Sequence, residues 1–217
     1  MNPTKLLTIF LFFSLFLVSS VKADRKADDI IKKMQKKYKE LKSLQADFER
    51  EVVWELAGET HKIKGSLYLT ADDKYRVETE EQLVVTDGKT VWTFSHLQNY
   101  VLVDFLDKDK GGQLPKDILL QYSNLYDSEY LGEEKMDGNK VHVLKLKPRD
   151  EEELIVSMKV WVDADKLFTR KIEQIDINEN INRYVVSNFR ENVELSEALF
   201  RFEVPKGVEV VDMTEAE

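Results

Sequence analysis

The sequence predicts a mainly β protein with some helix: an antiparallel meander of short strands entered through one amphipathic helix. Three observations predict it. Apolar residues first recur every three or four positions, then from about residue 47 alternate with polar ones almost to the C-terminus. Turn sequences recur at hairpin spacing, with Asp87-Gly88 and Asp137-Gly138 the strongest, because Asp-Gly tolerates the positive φ of a tight turn. Apolar residues make up 42% of the 217, enough for a real core, and no linker-like stretch divides the chain.

Composition excludes several classes. With 32 Lys and Arg against 41 Asp and Glu the net charge is −9, which disfavours nucleic acid as a partner. There is no Cys, so disulfides, Cys-based zinc sites, thiol nucleophiles and lipid attachment through Cys are all excluded. Eight Gly and four Pro rule out collagen-like and Pro-rich linker classes.

Residues 1–23 read as a signal peptide. Lys5 precedes an apolar run at residues 6–18, too short to span a bilayer comfortably, and Ser20-Val21-Lys22-Ala23 ends on a small residue. Cleavage after Ala23 leaves residues 24–217 as a single exported domain; an uncleaved anchor is the alternative. No later segment approaches spanning length.

The amphipathic helix is predicted over residues 28–46. Ile30, Ile31, Met34, Tyr38, Leu41 and Leu44 form its stripe, and Asp28 and Asp29 sit at the positive end of its dipole. Strands follow. Phe48, Val52, Trp54 and Leu56 alternate with acids, and His61, Ile63, Gly65, Leu67 and Leu69 continue the alternation. Tyr75 and Val77 resume it after Asp72-Asp73. Residues 83–86 and 90–94 flank Asp87-Gly88, and residues 100–105 form the next strand. Further strands are predicted at 141–147, 155–162, 167–177 and 182–189, with a short one at 200–204. Ten or eleven twisted strands must curl, close or split into two layers. The segment 108–124 breaks the meander: Gly111-Gly112, then Leu114-Pro115, then Ile118-Leu119-Leu120, a short apolar helix opened by Pro. On the residues alone it either plugs the concave core or forms a movable lid.

Catalytic motifs are missing. His61, His96 and His142 lack metal-ligand spacing. There is no G-x-S-x-G elbow, P-loop or dinucleotide fingerprint. Asp107, Asp109 and Gly111-Gly112 faintly suggest a calcium loop, but Ile118 stands where a bidentate Glu is needed. Acid pairs fall at turns and strand ends. An enzyme, a metal site and a cofactor are therefore not expected.

The order of motifs resembles the LolA family of periplasmic outer-membrane lipoprotein carriers. The pieces are Leu44-x-Ala46-x-Phe48; Gly65-Ser66-Leu67-Tyr68-Leu69 with Lys74-Tyr75-Arg76; Val85-Thr86-Asp87-Gly88-Lys89 leading to Trp92; Pro115-x-x-Ile118-Leu119; and the ending from Phe200-Arg201-Phe202 through Pro205 and Gly207 to Val210. The resemblance implies an incomplete β-barrel covered by the N-terminal helix and a short helical lid, with an apolar cavity between them. It implies a monomeric periplasmic chaperone without cofactor, which takes acylated lipoproteins from the inner-membrane LolCDE transporter and passes them to an outer-membrane acceptor, LolB-like or other. On that basis Phe48, Trp54, Tyr75, Val77, Trp92, Phe94, Val160 and Val162 are candidate lipid-binding residues, and Pro115, Ile118, Leu119 and Leu120 the lid. Two departures stand out. Ala71-Asp72 replaces the Arg-Pro whose Arg holds the family's lid, and Arg50 stands where Gln is usual. They leave open a carrier or sensor of another lipid or glycolipid, acting as a regulatory binding module on the same fold.

Overall fold

A computed structural model describes residues 24–106, 125–150 and 153–214. The expected signal peptide (residues 1–23) and the lid residues Pro115, Ile118, Leu119 and Leu120 lie outside the described residues, as does the faint calcium loop.

The helix α1 spans Arg25–Glu40. Asp24 caps it, its side chain accepting the Lys26 N–H, so the cap lies ahead of the Asp28-Asp29 pair. Ala27, Ile30, Ile31, Met34 and Tyr38 are its buried stripe. It stops six residues before the expected Ala46, because Leu41 turns extended with ψ 130° and the first strand begins at Ser43. Leu41 and Leu44 keep the three-residue rhythm and reach the same core, but Leu44 does so from a strand.

Twelve strands follow: β1 (Ser43–Trp54), β2 (Glu59–Thr70), β3 (Tyr75–Thr79), β4 (Gln82–Thr86), β5 (Thr90–Ser95), β6 (Tyr100–Phe105), β7 (Tyr126–Met136), β8 (Asn139–Pro148), β9 (Ile155–Asp163), β10 (Thr169–Asp176), β11 (Ile181–Glu191) and β12 (Glu209–Asp212). They form one sheet in the order β12-β6-β5-β4-β3-β2-β1-β11-β10-β9-β8-β7. Two meanders, β1–β6 and β7–β11, join where β1 pairs with β11. Every pairing is antiparallel except β12 with β6, which is parallel. β7 and β12 do not pair, so the sheet stays open, as an incomplete barrel requires. The Asp-Gly signals act differently in their two hairpins. Met136 faces Asn139 across a two-residue turn with Asp137 at φ 49° and Gly138 at φ 78°, the geometry such a turn demands. At Asp87 the loop is longer, and the Asp87 carboxylate accepts the backbone N–H of Lys89 and of Thr90.

Residues directly opposite in a ladder point to the same side of the sheet. The register therefore separates an inner face, which carries α1, from an outer face. Leu44, Leu67, Leu69, Tyr75, Leu144, Leu146, Val160 and Ile172 face inward and form one core with the helix stripe. Gly65 opposes Phe48 on this face, and a Cβ there would lie 2.4 Å from the Glu78 carbonyl oxygen and 2.7 Å from the Phe48 ring. The outer face of β1, β2, β10 and β11 carries charge instead. Glu51 pairs with Lys62 at 2.9 Å and with Arg183, which also holds Glu173 at 2.9 Å.

The expected strand at 200–204 is not in the sheet. A short 3-10 helix, Glu197–Phe200, touches β3 and β4, and the chain then runs extended to Pro205. Phe200 is buried, and Phe202 stacks on Trp92 with ring centroids 6.4 Å apart. The alternation is real, but it serves to cover an outer face rather than to extend a ladder; β12 joins β6 later, where Val208 has left the last turn.

Gly65→Ala should cost about 1–3 kcal/mol, the usual range for overpacking, read as a lower urea midpoint at unchanged slope. The Lys62 and Arg183 contacts hold the Glu51 carboxyl below its ordinary range; at Glu173 burial pushes upward but Arg183 and Lys171 outweigh it. Both acids are therefore more acidic folded than unfolded, and the stability they add above about pH 4.5 should disappear as pH falls below it. Arg183→Met should make that acid limb shallower, by on the order of 1 kcal/mol, in unfolding curves taken across the range.

Candidate functional site

The inner face is covered unevenly. Over β8–β10 it is sealed: Leu144, Leu146, Val160 and Val162 have no exposed surface. The helix is anchored at both ends, on β10 and on β7. The Tyr38 hydroxyl oxygen accepts the Thr169 N–H, its ring meets Phe168 edge-on at 5.7 Å, and burial raises its pKa to about 12. At the other end Ser128 donates to the Asp28 carboxylate at 2.6 Å, and the Tyr130 N–H to that of Asp24 at 3.1 Å.

Over β3–β6 the inner face is hollow. Val77, Val84, Val91, Thr93 and Leu102 point inward, paired in register, yet remain half-buried. Tyr75, Val84, Val91, Thr93, Leu102, Asp104 and Phe105 line an open cavity of about 250 Å³. Its lining is aliphatic and aromatic except for Thr93, Asp104 and the Tyr75 hydroxyl, whose pKa burial raises. That volume lies just under the roughly 300–1,000 Å³ of small-molecule sites.

One charged side chain interrupts the inner face of β1. Arg50 stands opposite Ile63 on β2 and Tyr184 on β11. Its Nη2 donates to Asn182 Oδ1 at 2.9 Å, and the guanidinium lies 5.6 Å from the centroid of the Tyr184 ring. Beyond it Trp54 ends the strand, 40% exposed and stacked on His61, whose Nε2 lies 2.8 Å from Glu81 Oε1. The antiparallel register puts the β1–β2, β5–β6, β8–β9 and β10–β11 connections along one edge of the sheet. Leu56, Leu97, Leu154 and Ile177 stand exposed on them. Among the described residues no His, Asp and Glu cluster could hold a metal, and no helix is long and apolar enough to cross a membrane. His142 sits beside Tyr130, its pKa pushed down by burial against the pull of Glu133.

The candidate lipid-binding residues divide accordingly. Phe48, Tyr75 and Val77 face inward around the open part; Val160 and Val162 face inward beneath α1; Trp54 faces inward at the rim. Trp92 and Phe94 face outward, against Phe202, and so stand apart from the others. Alternation could not label their face, because β4, β5 and β6 carry apolar residues on both faces: Val85 and Val101 are fully buried outside, while Val84 and Val91 line the hollow inside. Val84, Val91 and Leu102 were missed for the same reason. Counting register from Val77 through the β3–β4 turn identifies Val84 as its partner.

The family model described as outer membrane lipoprotein carrier protein LolA matches residues 39–203. An uncharacterized protein of Methanocaldococcus jannaschii is 28% identical over 214 residues, covering 93% of this chain; the chain spans 60% of that protein's length. The outer-membrane lipoprotein carrier protein of Glaesserella parasuis is 27% identical over 185 residues, 84% of this chain and 85% of its own. Two solved structures share the fold. A conserved uncharacterized protein of Thermus thermophilus aligns with a TM-score of 0.59 at 16% identity, over 87% of this chain and 99% of its own. A structure of MucB aligns with a TM-score of 0.54 at 18% identity, over 87% of this chain and 66% of its own.

Trp92→Ala should lower stability by up to about 3 kcal/mol, the low end for truncating a packed aromatic, and leave uptake of an acylated probe unchanged. The checks are thermal unfolding and a fluorescent fatty-acid binding assay on the same preparation.

Proposed function

The chain belongs to the LolA family of outer membrane lipoprotein carrier proteins, and on that premise we propose that it is a non-enzymatic carrier that shields acyl chains from water between two membranes. The observation that carries this reading is the inward face of β3–β6, where five side chains paired in register stay half-buried at an open cavity whose walls combine Tyr75, Val84, Val91 and Leu102 with Thr93 and Asp104.

The energetics fit a carrier. Burying acyl chain gains roughly 0.8 kcal/mol per CH₂, so one long chain in water is a load that no soluble molecule leaves uncovered. A carrier must also let go, so its affinity has to lie between those of donor and acceptor. A half-open site with a few apolar walls suits that better than a sealed core. In the finer form of the proposal, residues 1–23 direct the chain to the periplasm and are removed, and residues 24–217 act as one domain. The cargo is then an acylated lipoprotein, received from a LolCDE-type transporter and passed to an outer-membrane acceptor. Residues 115–120 serve as the lid, and the apolar side chains Leu56, Leu97, Leu154 and Ile177 along one edge of the sheet give the donor and acceptor a place to dock.

The test is to express the full chain in a bacterium with a periplasm, purify it from that fraction without detergent, and identify bound molecules by mass spectrometry. Acylated molecules should co-purify near one per protein. They should be lost from the double variant Val84→Asp, Leu102→Asp, provided its circular dichroism still reports the sheet. An empty wild-type protein that also takes nothing from lipid-bearing donor vesicles would overturn the carrier reading.

A further inference from the structure

We propose that Arg50 binds the head group of the cargo, and that the cargo is therefore an anionic amphiphile: an acylated molecule carrying a phosphate or carboxylate next to its chains. The inference rests on the carrier reading above and names the chemical class of what is carried.

The argument begins with charge balance across one strand pair. Two arginines sit close together on β1 and β11, on opposite faces. Arg183 points outward and holds two carboxylates, Glu51 and Glu173. Arg50 points inward, between Phe48 and Val52 along its strand and between Ile63 and Tyr184 across the ladder. It has one hydrogen bond, to the neutral carboxamide of Asn182, and one aromatic face, Tyr184. No carboxylate among the described residues forms an ion pair with it. The acids of this region, Glu49, Glu51 and Glu173, are all engaged on the outer face by Lys62, Lys64, Lys171 and Arg183.

A guanidinium carries five N–H donors in a planar fork. The Nε of Arg50 is buried and has no acceptor. A buried donor left without an acceptor is costly, the more so on a charged group. Asn182 supplies one acceptor but no charge, so the site is short of an anion. Carboxylate and phosphate are the groups that match the guanidinium fork with two parallel hydrogen bonds.

Position supports the same reading. Arg50 lies four residues from Trp54, about 13 Å along the strand at the rise of a β-strand, so it stands between the exposed rim and the interior. From it the inward surface continues through Phe48 and Gly65 to Val77 and Val84, at the edge of the hollow. An amphiphile entering from the rim can place its chain along that apolar path and its charged group at Arg50. A cargo whose polar end is neutral would leave the guanidinium as it is now.

The experiment compares three probes with the same acyl chain, using delipidated full-length protein: palmitoyl lysophosphatidylglycerol, palmitate and monopalmitoylglycerol. Inorganic phosphate serves as the chain-free control. Affinities are read by calorimetry for wild type, Arg50→Gln and Arg50→Lys. Wild type should bind the two anionic probes at least about tenfold tighter than the neutral one. In Arg50→Gln the three affinities should converge, while Arg50→Lys should keep part of the preference. A variant that failed to fold would lose all three probes, not the difference between them. A wild-type preference for the lysophospholipid over palmitate assigns a phosphate head group, and the reverse a carboxylate. Equal wild-type affinity for anionic and neutral probes, or a preference that survives in Arg50→Gln, would overturn the assignment while leaving the carrier reading intact. Inorganic phosphate binding as tightly as the lysophospholipid would overturn it too, by making Arg50 a free-anion site. If wild type binds none of the acylated probes, the carrier reading fails and this inference fails with it.

Discussion

Everything in this fold follows from a mismatch of areas. Twelve strands at about 4.8 Å spacing make a sheet roughly 50 Å across, and it is apolar on its inner face along nearly its whole width. The one described helix has sixteen residues and is about 24 Å long. It can seal part of that face and no more. Where it lies, over β8–β10, packing is complete; where it does not, over β3–β6, branched side chains remain half-buried around open space. On the outer face the C-terminal segment lays Phe202 against Trp92 and Phe94, and Val85 and Val101 are fully buried there.

That contrast also explains what could be read from the sequence. The spans expected for β6, β8, β9 and β11 fall on or within the observed ones to a residue or so. Turn chemistry located the hairpins. The reading went wrong where a rhythm is shared by two elements or where both faces carry apolar side chains. Leu41 and Leu44 continue the helical spacing past the end of the helix, so α1 was read six residues too long. Phe200-x-Phe202 alternates like a strand but covers one instead of joining it. Trp92 and Phe94 sit in a strand with apolar side chains on both faces, where alternation carries no label for inside or outside. Arg50 was visible as an unusual residue, yet only the register with Tyr184 and Ile63 shows that it points inward.

Polar chemistry is distributed by the same logic. The outer face of β1, β2, β10 and β11 is a lattice of paired charges, in which Lys62, Lys64, Lys171 and Arg183 each meet a carboxylate. On the inner face of β1 the charged Arg50 has no carboxylate in an ion pair among the described residues, and in a less polar setting an unmatched charge interacts over a longer range and costs more to keep. On the carrier reading proposed above, which polar end is tolerated is set by individual inward residues of this chain.

The open seam between β7 and β12 has a mechanical consequence. A closed barrel has its radius fixed by strand number and shear, so its interior can change only by breaking hydrogen bonds. A sheet with two free edges has no such constraint. It can flatten or tighten by small changes of twist shared among many strands, with every ladder intact. Its interior is therefore compliant: the volume enclosed is a soft variable, changed at a small elastic cost spread over the entire sheet.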